Sequence, residues 1–265
     1  MNDRAAAEGL RITILGSSSS IPRADRACSA YLIEGAGRAV IADMGTGSLS
    51  NLHRYRLAET IDAVVISHMH ADHFLDVVPM RYALKYGPRS NGKRVRLLLP
   101  PGGEAMLRRL CDSFFRETAD DFLDVFSVCT YDPAGETRVG DLRLRFAPGM
   151  HYIPTFAMRC TLDGISTVYS ADTAPAEQIV ALGRKTDLFL CEATLAPAEL
   201  EFGARGHSSA AEAGAMARDG EMRKLVLTHY PSHMAEAELS SEARTQYGGE
   251  VLVADDHSQF DVGGS

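Results

Sequence analysis

Residues 63–73 read AVVISHMHADH, and this stretch decides the fold of the chain. Its first four residues are apolar, which predicts a short buried strand. Four potential metal ligands follow, namely His68, His70, Asp72 and His73. Zinc and other borderline metals favour imidazole nitrogen and carboxylate oxygen as ligands. A tight turn after the strand would point His68 and His70 at one ion and Asp72 and His73 at a neighbouring ion, so the stretch predicts a metal site.

Short β-branched runs alternate with amphipathic segments along the rest of the chain. The pattern predicts strands over residues 10–15, 30–33, 39–42, 63–66, 95–99, 142–146, 157–162, 167–170, 188–191, 225–227 and 251–253, the last strand of the chain. It predicts helices over residues 48–57, 76–86, 104–116, 208–218 and 235–247. Because both halves mix hairpins with helices, the chain is expected to form two sheets packed face to face with helices outside. No Pro/Gly linker divides it, which favours one domain over residues 1–265.

Composition and charge narrow the class of protein. Of the 265 residues, 45% are apolar and 23% are charged, which is typical of a globular enzyme. The net charge of -8 argues against a dedicated nucleic-acid coat, because neutralising phosphates requires a basic face. The five cysteines include no C-x-x-C pair, so a disulfide framework or Cys-rich zinc site is not expected. Without a signal-peptide core or an apolar membrane-length segment, we expect a cytoplasmic protein with no membrane partner.

Five motifs in chain order resemble the signature of the metallo-β-lactamase superfamily. The cluster at residues 68–73 is the first match, and Asp43 matches the early aspartate that supports the metal loop. The resemblance implies an α/β fold, a four-layer αβ/βα sandwich with two mixed sheets face to face and helices outside. It also implies two divalent metal ions, Zn²⁺ in the first place and Mn²⁺ as the alternative. The implied ligands are His68, His70, Asp72, His73, His151, Asp172 and His229, with Asp172 as the bridging carboxylate.

Within that superfamily the chain resembles the ribonuclease Z-like phosphodiesterase branch. Residues 169–173 (YSADT), 191–194 (CEAT) and 206–209 (GHSS) are similar to three motifs of the branch. The resemblance implies that His207 donates a proton to the leaving oxygen and that Glu192 orients His207. Such an imidazole would complement two metal ions that activate water and bind a phosphoryl group.

Alternatives stay open for these residues. The position of His207 could instead reflect capping of the following helix by Ser208 or Ser209, and Glu192 could be a surface carboxylate. Asp72 could orient or deprotonate the attacking water besides acting as a ligand. Residues 16–20 (GSSSS) lack P-loop spacing and receive no role.

Two features narrow the substrate class, namely the residue type at position 172 and the short segment that precedes it. An aspartate here, where common zinc β-lactamases usually carry cysteine, ranks antibiotic hydrolysis low. Classical ribonuclease Z enzymes carry a transfer-RNA arm between the matching ligands, but residues 152–171 are used up by two strands and a turn. The missing arm favours a small phosphodiester, and nucleic acid is possible but not favoured. Residues 70–79, with Tyr82 and Tyr86, resemble bacterial enzymes of this branch that hydrolyse cyclic nucleotides, which implies a cyclic nucleotide as substrate. Tyr152 and Phe156 could stack a base, but ordinary core or rim positions are the favoured interpretation of both. The resemblance suggests a homodimer.

Three other functions remain as alternatives. One is a transfer-RNA 3′-end endonuclease of the ribonuclease Z type. Another is a thioester or lactone hydrolase of the glyoxalase kind, which would use the same metals but need no proton donor like His207. The last is a non-enzymatic metal-stabilised binding module, which the open ligand set disfavours because structural zinc sites are closed and usually Cys-rich.

Overall fold

The computed structural model describes residues 9–87, 92–114, 123–196 and 205–263. The strands are β1 (Leu10–Gly16), β2 (Ala30–Gly35), β3 (Arg38–Ala42), β4 (Ala63–Val65), β5 (Val95–Leu99), β6 (Phe126–Thr130), β7 (Glu136–Val139), β8 (Leu142–Pro148), β9 (Phe156–Leu162), β10 (Ile165–Tyr169), β11 (Leu188–Glu192), β12 (Lys224–Thr228), β13 (Glu250–Val253) and β14 (Gln259–Val262). The helices are α1 (Ser48–Leu52), α2 (Ala71–Phe74), α3 (Val77–Tyr86), α4 (Gly103–Phe114), α5 (Glu177–Gly183), α6 (Ala210–Asp219) and α7 (Glu236–Arg244), with a 3-10 helix at Ala58–Thr60.

Two seven-stranded sheets form the two inner layers. The first has the order β14-β1-β2-β3-β4-β5-β6 and the second the order β13-β12-β11-β10-β9-β8-β7. Each mixes antiparallel pairs, such as β1 with β2, and parallel pairs, such as β4 with β5. The alternation of apolar residues along β1 and β8 places Ile12 and Leu144 in one buried cluster between the sheets. The expected face-to-face arrangement of two mixed sheets is confirmed.

Helices cover the outer face of each sheet. On the first sheet, Ile41 and Val64 belong to one buried cluster with Met80 of α3 and Leu107 of α4. On the second sheet, a separate buried cluster joins strand residues to α5, α6 and α7 through side chains such as Ile179, Met216 and Leu239. The buried strands therefore carry apolar residues on both faces, as their near-continuous apolar runs indicate. The layer order is helix, sheet, sheet, helix.

Several predicted boundaries need correction. The predicted helix over 48–57 ends at Leu52, because residues 53–57 are exposed or half-buried and offer no apolar face to extend it. The strand at 251–253 is not the last, since β14 follows and pairs with β1. The pattern also missed β6, β7 and α5. The predicted end of α4 at residue 116 lies outside the described residues.

Both sheets direct their loops to one edge of the sandwich. In the first sheet, β3 and β4 run parallel, and the segments after them carry Asp43 and residues 67–73. In the second sheet, β10, β11 and β12 are parallel, and they end just before or at Asp172, Glu192 and His229. Ligands in open α/β sheets bind at the carboxyl ends of strands, so this edge is the expected place for a site. Among the described helices, none has the length and apolar character needed to span a membrane.

Candidate metal centre

Three histidines converge on one point at this edge. The Nδ1 atom of His70 lies 3.2 Å from Nε2 of His68 and 3.0 Å from Nε2 of His151. The Nδ1 of His151 donates to the carbonyl of Gly206 at 2.7 Å, and Nδ1 of His68 donates to the Ser67 hydroxyl at 3.0 Å. In the neutral imidazole, Nε2 of both rings then carries a lone pair. Ring nitrogens whose lone pairs converge at 3.0–3.2 Å form a site that suits a cation.

Burial favours the neutral form of these three imidazoles. It lowers the pKa of His68 well below the usual range, and it also lowers the pKa values of His70 and His151. Neighbouring histidine charges act in the same direction, whereas the carboxylate of Asp172 opposes them. A neutral ring is the form that coordinates a metal.

A second cluster combines two carboxylates with two histidines. Nε2 of His73 lies 3.4 Å from Oδ2 of Asp72 and 3.3 Å from Oδ1 of Asp172. Nε2 of His229 lies 3.4 Å and 3.5 Å from the same two oxygens. Zinc bonds of about 2.0–2.2 Å in a tetrahedron place neighbouring ligand atoms about 3.3–3.6 Å apart. The spacing of the four donors therefore suits a small divalent ion.

Two of those donor atoms are buried without a hydrogen-bond partner. They are Nε2 of His73 and Oδ1 of Asp172, both in the second cluster. Buried polar atoms without a partner are rare, because leaving one unsatisfied costs about 1–3 kcal/mol. A bound metal ion would satisfy both atoms, so the residues fit the metal that the sequence implies.

The carboxylate of Asp172 belongs to both clusters. Its Oδ1 faces the second cluster, whereas Oδ2 lies 3.8 Å from Nε2 of His68 and 3.9 Å from Nε2 of His151. Burial would raise the pKa of Asp172, but the charges of His229 and His73 hold it well below the usual range. The structure thus places Asp172 between the two clusters and brings all seven predicted ligands together.

Asp43 holds the metal loop from behind. Its Oδ2 accepts hydrogen bonds from Nδ1 of His73 at 2.7 Å, the Ser67 hydroxyl at 2.7 Å and the Tyr169 hydroxyl at 2.8 Å. Its Oδ1 accepts from the backbone N–H of Ser67 at 2.7 Å. Such outer partners fix the tautomer of a metal-binding histidine, here with Nε2 of His73 facing the cluster. One carboxylate thus orients His73 directly and His68 through Ser67.

Thr194 orients His229 as Asp43 orients His73. Its hydroxyl donates to the carbonyl of His229 at 3.0 Å and accepts from Nδ1 of the same residue at 2.9 Å.

The backbone is in the left-handed region at Asp43, Ala171 and His229, with φ of 57°, 55° and 50°. Such conformations cost energy in residues other than glycine and concentrate at functional sites.

Four residues that hold the centre were not assigned this function from the sequence. They are Ser67, Tyr169, Thr194 and Gly206, whose hydrogen bonds depend on tertiary contacts. Gly45 also belongs to the centre, since a Cβ there would lie 2.0 Å from the Asp72 carbonyl oxygen. The only sequence signal for it was its position two residues after Asp43. It lets the chain pass close behind the metal loop.

His207 and Glu192 form a pair beside both clusters. Nδ1 of His207 lies 3.0 Å and 3.3 Å from the two carboxylate oxygens of Glu192, and 4.0 Å from Oδ2 of Asp172. Glu192 is fully buried and accepts from the backbone N–H groups of Thr173 and Thr194. The alternative of a surface carboxylate for Glu192 is therefore wrong. The capping alternative holds only for Ser209, which caps α6 with Glu212 while the His207 ring contacts Glu192.

The two aromatic residues after His151 differ in position. Tyr152 is 53% exposed, and its ring centroid lies 4.9 Å from that of His151 and 5.8 Å from that of His207. It packs on Gly206, where a Cβ would lie 2.5 Å from the ring. Phe156 packs edge-on against Tyr131 and joins the core between the sheets. Only Tyr152 borders the site.

Comparison with known proteins identifies the family and the fold. The sequence profile described as beta-lactamase superfamily domain matches residues 38–230. The probable metallo-hydrolase YhfI of Bacillus subtilis is 29% identical over 92% of this chain and 97% of its own length. Its crystal structure, described as a metallo-beta-lactamase fold protein, superposes with a TM-score of 0.87 at 25% identity, over 96% of this chain and 100% of that one.

Two further relatives widen the comparison. The uncharacterized protein Rv1339 of Mycobacterium tuberculosis is 32% identical over 96% of this chain and 92% of its own length. A ribonuclease Z of Halorubrum lacusprofundi is 25% identical over 96% of this chain and 97% of its own length. The expected likeness to ribonuclease Z-like proteins is confirmed. The chain therefore belongs to the beta-lactamase superfamily and is a metal-dependent hydrolase of that fold.

Proposed function

We propose that this hydrolase cleaves a phosphodiester bond in a small or cyclic nucleotide. The observation that carries the proposal is the imidazole of His207, whose Nδ1 lies 3.0 Å from a carboxylate oxygen of buried Glu192, beside the two clusters of predicted metal ligands. Hydrolysis of a phosphodiester releases an alkoxide that needs a proton, whereas an imidazole donor is less needed for a thioester. The similarity to a ribonuclease Z supports the same bond class, because ribonucleases cleave phosphodiesters.

Two divalent ions complete the proposed centre. His68, His70 and His151 would hold one ion, Asp72, His73 and His229 the other, and Asp172 would contribute an oxygen to each. Zn²⁺ is the first choice for such imidazole and carboxylate donors, with Mn²⁺ as the alternative. When bound, a pair of such ions lowers the pKa of water and neutralises charge that builds on phosphoryl oxygens.

His207 would supply the proton to the leaving oxygen. Because Nδ1 contacts Glu192, we assign the proton donation to Nε2, the other ring nitrogen. The buried carboxylate stabilises the imidazolium form and fixes the direction of the ring, and both effects favour proton donation from Nε2. Transfer of that proton leaves a neutral ring that solvent can protonate again, so the cycle closes. Glu192 is thus a positioning residue.

Asp72 would bind metal and orient the attacking water. Burial raises its pKa, but the neighbouring imidazoles of His229 and His73 bring the pKa well below the usual range of an aspartate. A carboxylate with so low a pKa is a weak base. We therefore assign Asp72 to holding and orienting water rather than to removing its proton.

A nucleotide base would stack on Tyr152. This ring is exposed at the rim, next to His151 and His207, and offers a flat apolar face. Stacking of a base on an aromatic side chain contributes about 1–3 kcal/mol. The segment between His151 and Asp172 consists of the hairpin of β9 and β10. It leaves no residues for a transfer-RNA arm at that place, which favours a small substrate.

Turnover of a substrate panel after loading with Zn²⁺ or Mn²⁺ tests the proposal. The panel holds bis-p-nitrophenyl phosphate, 3′,5′- and 2′,3′-cyclic nucleotides, a 3′-extended transfer RNA, a thioester and a lactone. We expect metal-dependent cleavage of the cyclic nucleotides, with kcat reduced about 10²–10⁴-fold in His207→Ala because a general acid contributes that much. His53→Ala, at an exposed position, is the matched control and should be unchanged.

Two outcomes would contradict the proposal. Activity confined to the thioester or lactone, insensitive to His207→Ala, would assign the chain to glyoxalase-like chemistry. Cleavage of the transfer RNA alone would replace the small substrate with an endonuclease function. The proposal also includes a cytoplasmic homodimer, which cell fractionation and sedimentation velocity of the metal-loaded protein would test.

A further inference from the structure

An arginine-rich pocket lies on the outer face of the second sheet. Its volume is about 360 Å³, and its walls include Arg143, Arg145, Arg159 and Glu136 together with residues near the end of α5. Arg143 and Arg145 point outward from β8 because the alternate residues of that strand face the core. The strand passes the pocket near its start and leads to His151 only after Pro148. The pocket is thus separate from the metal centre.

The arginines stand opposite one another on neighbouring strands. Arg145 of β8 pairs in register with Arg159 of β9, and Arg143 pairs with Arg138 of β7. Like charges directly opposite each other in a sheet are destabilising. Two such pairs side by side, in a chain with a net charge of -8, create a local excess of positive charge. A sheet built this way gains stability when an anion lies among the guanidinium groups.

The acidic groups nearby do not neutralise this patch. Glu136 binds Arg138 and Arg145 at 3.0 Å and 3.1 Å, so one carboxylate serves both arginines. The side chain of Arg143 makes no hydrogen bond or ion pair to the described part of the chain. Its guanidinium therefore keeps its donors for a ligand, and Arg is the side chain that best matches phosphate oxygens.

Arg159 is fixed in place at the base of the pocket. Its guanidinium donates to the carbonyls of Leu182 and Arg184 at 2.7 Å and 3.1 Å, and to the hydroxyl of Ser166 at 2.8 Å. Asp187 accepts from Ser166 and from Arg223, so its charge is shared with other partners. Burial lowers the pKa of Arg159, and the nearby charge of Arg145 lowers it further, although Asp187 opposes this. A half-buried guanidinium held in one orientation is preorganised for binding.

We propose that this pocket binds a small phosphate-bearing anion, at a site distinct from the metal centre. Pockets of about 300–1,000 Å³ are the usual size for small-molecule ligands, and this one falls in that range. Its concave shape and few convergent arginines suit one compact anion such as pyrophosphate or a nucleoside monophosphate. A polynucleotide would need a longer basic track.

Calorimetric titration of the metal-loaded protein at low ionic strength tests this site. The probes are inorganic pyrophosphate, adenosine 5′-monophosphate and a single-stranded dodecanucleotide. We expect Arg143→Gln to weaken one class of pyrophosphate or monophosphate sites by about tenfold or more, because a hydrogen bond to a charged group contributes that much. Arg54→Gln removes the same charge at an exposed position outside the pocket and should bind as the wild type does.

Comparing the wild type with Arg143→Gln and Arg54→Gln separates this site from the metal centre, because any anion binding at the metals is common to all three proteins. Equal affinities of Arg143→Gln and the wild type for every probe would overturn the proposal. Loss of dodecanucleotide binding in the variant, without any small-anion site, would overturn the small-ligand assignment.

Thermal unfolding without anion is an independent check. There Arg143→Gln should unfold at the same temperature as the wild type or higher, since it relieves repulsion with Arg138, and a lower temperature would contradict the like-charge interpretation.

Discussion

At the scale of single residues, the centre depends on the side chains behind the ligands as much as on the ligands. Asp43 receives hydrogen bonds from His73, Ser67 and Tyr169 on one oxygen, so its carboxylate decides which ring nitrogen faces the cluster. Thr194 and the Gly206 carbonyl do the same for His229 and His151. Every one of these contacts leaves Nε2 toward the cluster, and only His70 presents Nδ1.

Replacing Asp43 by Asn should weaken metal binding. The amide replaces one of the two accepting oxygens by an N–H donor, so either His73 or the backbone N–H of Ser67 would lose its acceptor. Loss of such an outer partner typically lowers metal affinity 10–100-fold, and we expect a loss of about that size. Competition with a chelator of known zinc affinity measures it. Asp141→Asn, at an exposed position, is the control, and unchanged affinity in Asp43→Asn would show that the ligands need no such support.

At the scale of elements, strand ends and helix starts place the functional groups. The segment before α6 carries His207, and several contacts hold this segment in place. The hydroxyl of Ser208 donates to the carbonyl of Thr173 at 2.6 Å, and the carbonyl of Ser208 accepts from the backbone N–H of Leu195 at 3.0 Å. Ser209 and Glu212 then form a capping box that starts the helix. The imidazole of His207 is thus anchored by the beginning of a helix.

Ser209→Ala should destabilise the protein by about 1 kcal/mol, because it removes the side-chain acceptor of the helix cap. Since α6 begins three residues after His207, we also expect kcat to fall more than the bound metal content. Urea unfolding, metal analysis and turnover measure the three quantities. Ser113→Ala, near the exposed end of α4, should leave all of them close to the wild type. Full retention of stability in Ser209→Ala would contradict the capping role.

At the scale of the whole molecule, the centre joins the two sheets. Four of the predicted ligands follow β4 of the first sheet, and the other three follow β8, β10 and β12 of the second. Elsewhere the sheets meet through apolar contacts and through a few polar ones, such as the hydroxyl of Tyr31 beside that of Thr228 at 2.8 Å. Bound metal would therefore act as a crosslink between the layers.

Removal of metal should lower the melting temperature. A ligand present at 100 times its Kd stabilises the folded state by about 2.7 kcal/mol, which corresponds to about 5 °C or more for a chain of this size. Scanning calorimetry before and after treatment with a chelator measures the shift, and added Zn²⁺ should restore it. The Asp172→Asn variant should show a smaller shift. An unchanged melting temperature in the wild type would mean that the sheets need no metal.

The sequence was most informative where chemistry and strand pattern coincide. His68 and His229 each follow a short apolar run and a hydroxyl residue, so their place at a sheet edge could be predicted. Strand β7 could not, because its residues ETRV form a charged edge strand without an apolar alternation. The sequence also did not predict that Arg145 and Arg159 lie opposite each other, because this depends on the register in which β8 and β9 pair. Hydrogen-bond partners such as the hydroxyl of Tyr169 could not be predicted either, because their hydrogen bonds depend on tertiary contacts.

The spread of the ligands along the chain has a consequence for biosynthesis. His68 and His70 leave the ribosome early, but their cluster is completed only by His151. Asp72 and His73 wait still longer for Asp172 and His229. No nascent fragment ending before β12 contains the second cluster. The proposed pair of ions could therefore be held only after both halves of the sandwich have been made and docked.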